Sequence, residues 1–258
     1  LITAAILYIL CAMQSVSAQN AILPESRIVG YYGNFYSTRM GVLGEYPPDV
    51  VLRMLREEMR KWTVADPKTP VVPAIEYIAV VAQKDPGQDG KYRARMPDAH
   101  INKAIGLAEQ VEGIVILDVQ AGLSNMQSEV PRLEKFLRMP NVMLALDPEF
   151  SMPSGSRPGQ RIGTIDAKEI NFVINYLSAI VKKYNLPPKL LVIHRFTQKM
   201  VTNYDKIHLT PQVQVIMDMD GWGPRTLKKD SYRAYIAKEP VQYTGIKIFY
   251  KNISGIII

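Results

Sequence analysis

The chain has 258 residues, of which 47% are hydrophobic and 21% are charged. This balance excludes an intrinsically disordered chain and is sufficient for one large buried core. The net charge of +7 comes without a dense lysine or arginine run or a basic helix, so the sequence favours a solvated basic surface over nucleic-acid binding.

The first 18 residues predict a secretory signal peptide. They carry no charge, are mostly apolar and end in Val16-Ser17-Ala18, a small-x-small cleavage pattern. A transmembrane anchor is disfavoured because the run is short and ends in small polar residues. We therefore expect a secreted or periplasmic protein that begins at Gln19, has no stable membrane insertion after cleavage, and forms a single domain over residues 19–258. Cleavage also removes Cys11, the only cysteine, which excludes disulfides and thiolate metal sites.

Apolar runs that end in polar, ionisable residues recur along the rest of the chain. Such runs are typical of strands buried on both faces of a parallel sheet. In chain order, strands are predicted at Arg27–Gly33, Pro70–Val81, Gly113–Gln120, Val142–Phe150, Lys189–Phe196, Val213–Gly221 and Gly245–Tyr250. Helices are predicted at about Pro47–Trp62, Pro97–Gln110, Ser128–Arg138, Asp166–Tyr184 and Ser231–Ala237, with a short helical stretch near Gln198–Tyr204.

Strands that alternate with helices predict βαβ units and a parallel sheet. The seven strands lack a Gly-x-Gly-x-x-Gly motif after the first, which favours an α/β fold of the (β/α)₈ TIM-barrel type over a dinucleotide-binding sheet. No eighth strand is visible before the chain ends in Lys251–Ile258. We therefore expect the C-terminal end to be clipped or frame-shifted, which leaves the barrel incomplete.

Ionisable residues collect at the predicted strand ends, which face one mouth of such a barrel. A single acid there is explained as well by a turn or a helix cap, but five of six successive strand ends carry an acid, and this repetition favours function. Carboxylates crowded in a pocket of low dielectric raise each other's pKa, which supplies a general acid and a general base at neutral pH.

The leading interpretation is a secreted, glycosidase-like hydrolase that acts on a carbohydrate or another small or polymeric substrate. Glu149 is the predicted proton donor, and Asp147, two residues earlier on the same strand face, orients it or shares its proton. Asp218 or Asp220 is the predicted nucleophile or water-activating base. The predicted substrate-binding residues are Tyr32, Asn34, Glu76, Asp118, Gln120, His194, Arg195 and Trp222, because aromatic rings beside hydrogen-bonding groups suit a sugar.

Two other functions stay open. One is a hydrolase that depends on a divalent cation, Mg, Ca or Mn, with ligands drawn from Asp118, Asp147, Glu149, His194 and Asp218; otherwise no cofactor is expected. The other is a non-catalytic barrel that binds envelope glycan or peptide. Basic residues in two long loops form either a solvated rim or a clamp for an anionic substrate: Lys84, Lys91, Arg93, Arg95, Arg157 and Arg161.

Several stretches resemble an uncharacterised family of bacterial secreted proteins and lipoproteins, and the resemblance covers nearly all of the mature chain. The stretches are VGYYGNFYSTRMGVLGEYPP, LDVQAGLS, LALDPEFSM, IGTIDAKEIN and MDMDGWG. The resemblance implies a glycosidase-like barrel and brings no established reaction or assigned catalytic residues. Members of that family continue past the seventh strand, so the end of this chain departs from their pattern.

Overall fold

The computed structural model describes residues 21–221 and 223–248. Its strands are β1 (Arg27–Gly33), β2 (Val71–Ala82), β3 (Arg93–Arg95), β4 (Ile114–Val119), β5 (Val142–Leu146), β6 (Ile165–Asp166), β7 (Lys189–His194), β8 (Val201–Thr202), β9 (Val213–Met219) and β10 (Tyr243–Ile246). The main sheet has seven parallel strands whose spatial order follows the chain, β1-β2-β4-β5-β7-β9-β10, and the short strand β3 pairs antiparallel with β2. A separate two-stranded sheet pairs β6 with β8.

Helices connect successive strands of the main sheet. The α-helices are α1 (Val42–Glu45), α2 (Pro48–Ala65), α3 (Asp98–Glu109), α4 (Met126–Glu129), α5 (Glu134–Leu137), α6 (Ala167–Tyr184) and α7 (Arg225–Ser231). Short 3₁₀-helices lie at Val130–Leu133, Pro148–Phe150, Gln198–Met200 and Tyr204–Lys206, and a π-helix follows α7 at Tyr232–Ala237. No helix in these described ranges is both long enough and apolar enough to cross a membrane.

The strand order confirms the predicted fold class. In a dinucleotide-binding sheet the order reverses at a switch point, whereas here it runs in one direction, as in a (β/α)₈ barrel. The sheet is strongly curled, since a hydrogen bond of 2.9 Å joins His194 on β7 to Glu76 on β2. All seven predicted strands are present. The predicted incomplete end falls on residues 249–258, which lie outside the described part of the chain.

Several local features differ from the sequence-based expectation, among them the seventh strand, which spans Tyr243–Ile246 rather than Gly245–Tyr250. The helix predicted at Ser128–Arg138 is divided into α4, a 3₁₀-helix and α5, with Pro131 in the 3₁₀ turn. Strand β5 ends at Leu146 rather than Phe150, because Asp147 uses its carboxylate to cap a 3₁₀ turn that Pro148 begins. The loop after β2 also contains a strand, β3, that the sequence did not indicate.

Side chains alternate between the two faces of the sheet, and both faces are buried. The outward face packs against the helices in the larger apolar core. The inward face forms a second, smaller apolar layer inside the curl: Ala74, Ile114, Ile116, Met143, Ala145, Leu190, Val192 and Ile216. This apolar layer supports the polar residues that follow it on the same strands.

The segment before β1 packs against the amino-terminal end of the curl. Ile22 and Leu23 lie against the inward apolar layer. The side-chain amide of Gln214 accepts a hydrogen bond from the Leu23 N–H at 3.2 Å and donates a hydrogen bond to the Leu23 carbonyl at 2.6 Å. Because this segment covers the amino-terminal end, the polar mouth lies at the other end of the strands.

Candidate active site

The polar layer of the mouth follows from strand alternation. On several strands an ionisable residue comes two positions after an inward apolar residue, so it points into the curl just above the apolar layer. The residue pairs are Ala74 and Glu76, Ile116 and Asp118, Ala145 and Asp147, Val192 and His194, and Ile216 and Asp218. Five of the predicted site residues are therefore brought together, and the expected site at the carboxyl ends of the strands is built from them.

His194 is the centre of this layer. Its Nε2 lies 2.9 Å from Oε1 of Glu76, and its Nδ1 lies 3.2 Å from Oδ2 of Asp218 and 3.6 Å from Oδ2 of Asp220. Burial by itself lowers the pKa of His194, but the charges of Glu76 and Asp220 and the hydrogen bond to Asp218 outweigh burial and raise that pKa well above its usual value. The raised pKa favours the imidazolium form of this buried residue, in which both ring nitrogens donate.

The charge of His194 changes the pKa of the carboxyl groups that it contacts. Burial raises the pKa of Glu76, but the imidazolium and Lys247 outweigh burial and lower that pKa below its ordinary value. The pKa of Asp218 is raised, because burial exceeds the opposing hydrogen bond from His194. Glu76 is thus the ionised partner of the histidine.

A second network joins Tyr32, Gln120 and two aspartates. The Tyr32 hydroxyl donates to Oδ2 of Asp118 at 3.1 Å, and Nε2 of Gln120 donates to the Tyr32 oxygen at 3.2 Å and to Oδ2 of Asp147 at 3.1 Å. Gln120 is fixed in turn by the Ala82 N–H, which donates to Oε1 at 3.1 Å. These bonds hold two carboxyl groups and a phenol in defined positions within the mouth.

Asp118 and Asp147 are crowded acids. Burial and the neighbouring charge of Asp147 raise the pKa of Asp118 well above its usual value, and burial and the charge of Asp220 raise the pKa of Asp147 to about 7. Burial and the charge of Asp118 also raise the pKa of Tyr32, so the phenol stays a neutral donor. The site therefore retains protons on carboxyl groups near neutral pH.

Glu149 reaches the site by a different route from the one predicted. It lies in the 3₁₀ turn after β5 rather than on the strand, and its N–H donates to Oδ1 of Asp147 at 3.1 Å. Its side chain is half-buried, and burial together with the charge of Asp220 raises its pKa to about 7. Asp147 therefore positions Glu149 through the backbone, because the turn replaces the strand alternation that the sequence suggested.

Lys247 is a site residue that sequence reasoning missed. Its ammonium lies 3.3 Å from the ring centre of Tyr32 and 3.4 Å from Oδ2 of Asp220. Two positions before it, Gly245 has no side chain. An added Cβ there would lie 2.5 Å from Oδ1 of Asp218, so glycine allows that carboxyl group to approach β10. The available signal was a single lysine at alternating spacing in the apolar run Gly245–Ile248.

Two predicted substrate-binding residues do not present free groups to the mouth. Arg195 is fully buried, and its guanidinium bonds the carbonyls of residues 197, 198 and 235 and pairs with Glu239 at 2.6 Å. Asn34 is buried and bonds the backbone at Ile78 and Tyr36. The polar groups of both residues hold loops, and their contact with a substrate stays a prediction. The third, Trp222, lies outside the described residues.

The basic loop after β2 is neutralised within the fold. Arg93 and Arg95 both pair with Glu129, a fully buried carboxylate, at 2.9 and 2.7 Å. Arg93 also pairs with Asp89 at 2.6 Å. These two arginines therefore stabilise the loop and are poorly placed to clamp an anionic substrate.

The divalent-cation site stays a prediction. In the ranges 21–221 and 223–248, no three His, Asp or Glu side chains are placed to hold one together. His194 directs both ring nitrogens at carboxylates, which leaves no nitrogen lone pair for coordination. The groups that converge in the mouth are suited instead to proton transfer and to hydrogen bonding.

Comparisons with known proteins give a structural likeness only. No protein-family model matches the chain, and no curated protein matches it. One similar solved structure is a hyperthermophilic endo-β-1,4-glucanase in complex with substrate, with 11% sequence identity and a TM-score of 0.38. The match covers 81% of this chain and 64% of that protein, which is less than two thirds of its length. The predicted membership of a secreted bacterial family stays a prediction.

Proposed function

We propose that this chain is a glycoside hydrolase that works by paired carboxylates. The observation that carries the proposal is that Asp147, Glu149 and Asp220 converge in one mouth, where burial and the charge of Asp220 raise the pKa of Asp147 and Glu149 to about 7. A general acid must hold a proton at the working pH and a general base must not, so a site needs carboxyl groups whose environments differ. The mouth supplies such a set.

Glu149 is the proposed proton donor. It is half-buried, so part of the residue is open to the solvent that a substrate would replace. With a pKa of about 7, a large fraction of it is protonated at neutral pH. Its proton passes to the glycosidic oxygen as the bond to the sugar breaks.

Asp220 is the proposed nucleophile or water-activating base. Asp218 is held by its hydrogen bond to the buried His194, whereas Oδ1 of Asp220 has no hydrogen-bond partner among the described residues. An oxygen in that condition is available to a substrate carbon or to a water molecule. His194 and Lys247 lie beside the other oxygen, at 3.6 and 3.4 Å, and fix the carboxylate.

A carbohydrate substrate is supported by polar groups and by one exposed ring. Tyr36, in the loop after β1, is 67% exposed and stacks on His100 at 4.1 Å between ring centres. A ring supported on one face and open on the other is a suitable platform for the apolar face of a sugar. We also propose secretion, for which residues 1–18 provide the support.

The test is a screen of the purified secreted protein against soluble cell-wall and plant glycans, with new reducing ends as the readout. We expect Glu149→Gln and Asp220→Asn each to lower the rate by about 10²–10⁴. The control Glu109→Gln removes an exposed carboxylate on α3 and should leave the rate unchanged. Full activity of Glu149→Gln would remove Glu149 from the mechanism. Loss of activity in EDTA with recovery on adding a divalent cation would favour the metal-dependent alternative.

A further inference from the structure

The mouth carries more acidic than basic groups although the whole chain is basic. Among the described residues, six carboxyl groups and three basic groups lie in the mouth. Two of the basic groups belong to the polar layer and its upper edge, and the third comes from α7. The acids are Glu76, Asp118, Asp147, Glu149, Asp218 and Asp220, and the cations are His194, Lys247 and Lys228. Carboxyl groups therefore outnumber basic groups in the mouth of a chain whose net charge is +7.

Two carboxylate oxygens in this site are buried without a donor. Oδ1 of Asp118 and Oδ1 of Asp220 have no hydrogen-bond partner in the described part of the chain, and the two residues are only 0% and 4% exposed. Buried polar atoms in folded proteins are nearly always paired. A ligand that pairs them must supply N–H or O–H donors, and one that also supplies positive charge offsets the excess of acids.

The structure already shows how this mouth holds a primary ammonium. Lys247 places its Nζ over the Tyr32 ring and beside Asp220, at 3.3 and 3.4 Å. An aromatic face together with a carboxylate is a favourable environment for a cation.

We propose that the substrate is a glycan of hexosamine units with free amino groups, whose ammonium binds at Asp118 and lies beside Asp220, the proposed nucleophile or base. This inference rests on the proposed glycosidase function and adds the substrate class. An ammonium brings three donors and no acceptor, which matches oxygens that lack donors. An N-acetyl group at the same position removes the charge and brings a carbonyl oxygen toward carboxylates, and a neutral hydroxyl brings only one donor.

The experiment compares four probes on the full chain by calorimetry at neutral pH and low salt: the β-1,4-linked tetramers of glucosamine, N-acetylglucosamine and glucose, and the diamine putrescine. We expect the glucosamine tetramer to bind about tenfold or more tightly than the other three, with an affinity that falls as salt rises. Asp118→Asn and Asp220→Asn should each remove most of that preference, and the exposed control Glu109→Gln should retain it. Thermal melting of each variant checks that it is folded.

Three results would overturn the inference: equal binding of the charged and neutral tetramers, binding of putrescine as tight as that of the sugar, or no binding of any probe. Cleavage is scored separately by chromatography of the recovered ligand. Cleavage of the glucose tetramer without preference for the charged one would reject the substrate class and leave the proposed hydrolase intact. Selective binding of the glucosamine tetramer without cleavage would support the substrate class and count against the hydrolase.

Discussion

Glu76 and His194 are 118 positions apart in the chain, and a hydrogen bond of 2.9 Å joins them across the interior of the curled sheet. The bond links β2 to β7, so it depends on the curl of the whole sheet. It also places a charged pair in a protein interior, where a carboxylate and an imidazolium are stable only together. The stability of the protein should therefore respond to the pair and to pH.

Glu76→Gln should lower the free energy of unfolding most at mildly acidic pH. Glutamine retains an acceptor but loses the charge that keeps His194 protonated, at a cost of about 1–3 kcal/mol near pH 6. The raised pKa of His194 contributes stability below the unfolded pKa of about 6.5, and this contribution is lost as the pH rises through the folded pKa. The lowered pKa of Glu76 contributes stability above its ordinary pKa of about 4.5, and this contribution is lost as the pH falls through the folded pKa.

Urea unfolding at about pH 6 and about pH 8.5, with NMR titration of His194, measures both effects. The pKa of His194 should be lower in the variant, and the difference in stability should shrink at the higher pH. Glu57→Gln, which breaks an exposed pair with Arg60, is the control. An unchanged histidine titration would contradict the assignment of Glu76 as the partner that maintains the charge.

Asp147→Asn should make stability less dependent on pH. Because the folded pKa of Asp147 is about 7 and its ordinary value is 3.8, the group stabilises the fold below about pH 4, and this contribution is lost as the pH rises through 7. Relative to the parent, the variant should gain on the order of 2–4 kcal/mol between about pH 4.5 and pH 7.5. Asp205→Asn, an exposed change, should gain nothing. A constant difference across this range would show that Asp147 ionises normally.

The rate of the proposed hydrolase should fall on the alkaline side of neutrality. A proton donor with a pKa of about 7 loses its proton above that pH, so kcat/KM should drop about tenfold for each further pH unit. Glu149→Gln should remove this alkaline limb together with most of the activity. A profile that stays flat to about pH 9 would mean that another group supplies the proton.

Arg195→Ala should destabilise the protein without weakening substrate binding. The buried guanidinium holds three loop carbonyls and Glu239, and its removal takes away the ionic partner of Glu239, which keeps only the hydrogen bond from Gln198, at a cost of about 3–5 kcal/mol. The control Arg233→Ala removes a side chain that is 73% exposed and should change stability by less than about 0.5 kcal/mol. A raised KM with unchanged stability would restore the sequence-based prediction that Arg195 binds substrate.

Secretion should produce a mature chain that begins at Gln19. The apolar stretch before Val16-Ser17-Ala18 predicts cleavage after Ala18. Intact-mass spectrometry of the exported protein measures the new amino terminus. A chain that still carries residue 1, or a lipid on Cys11, would refute the prediction.

The sequence determined the strands of the main sheet and most of the residues that line the mouth. Unbroken apolar runs are buried on both faces of a parallel sheet, so their positions are visible without a structure. Period-two alternation then directs Asp118, Asp147, His194 and Asp218 to the same inward face as the apolar residues two positions earlier. These properties are local, since each depends on a few neighbouring residues.

Only the tertiary structure decided how those residues are paired. The contacts Glu76–His194 and Lys247–Tyr32 join distant strands, and they exist because the sheet curls. The 3₁₀ turn at Glu149 also depends on a competition between a side-chain cap and the strand ladder, which apolar patterning does not resolve. Charge states follow from these pairings, because burial and neighbouring charges set each pKa, and neither is known until the chain has closed around the site.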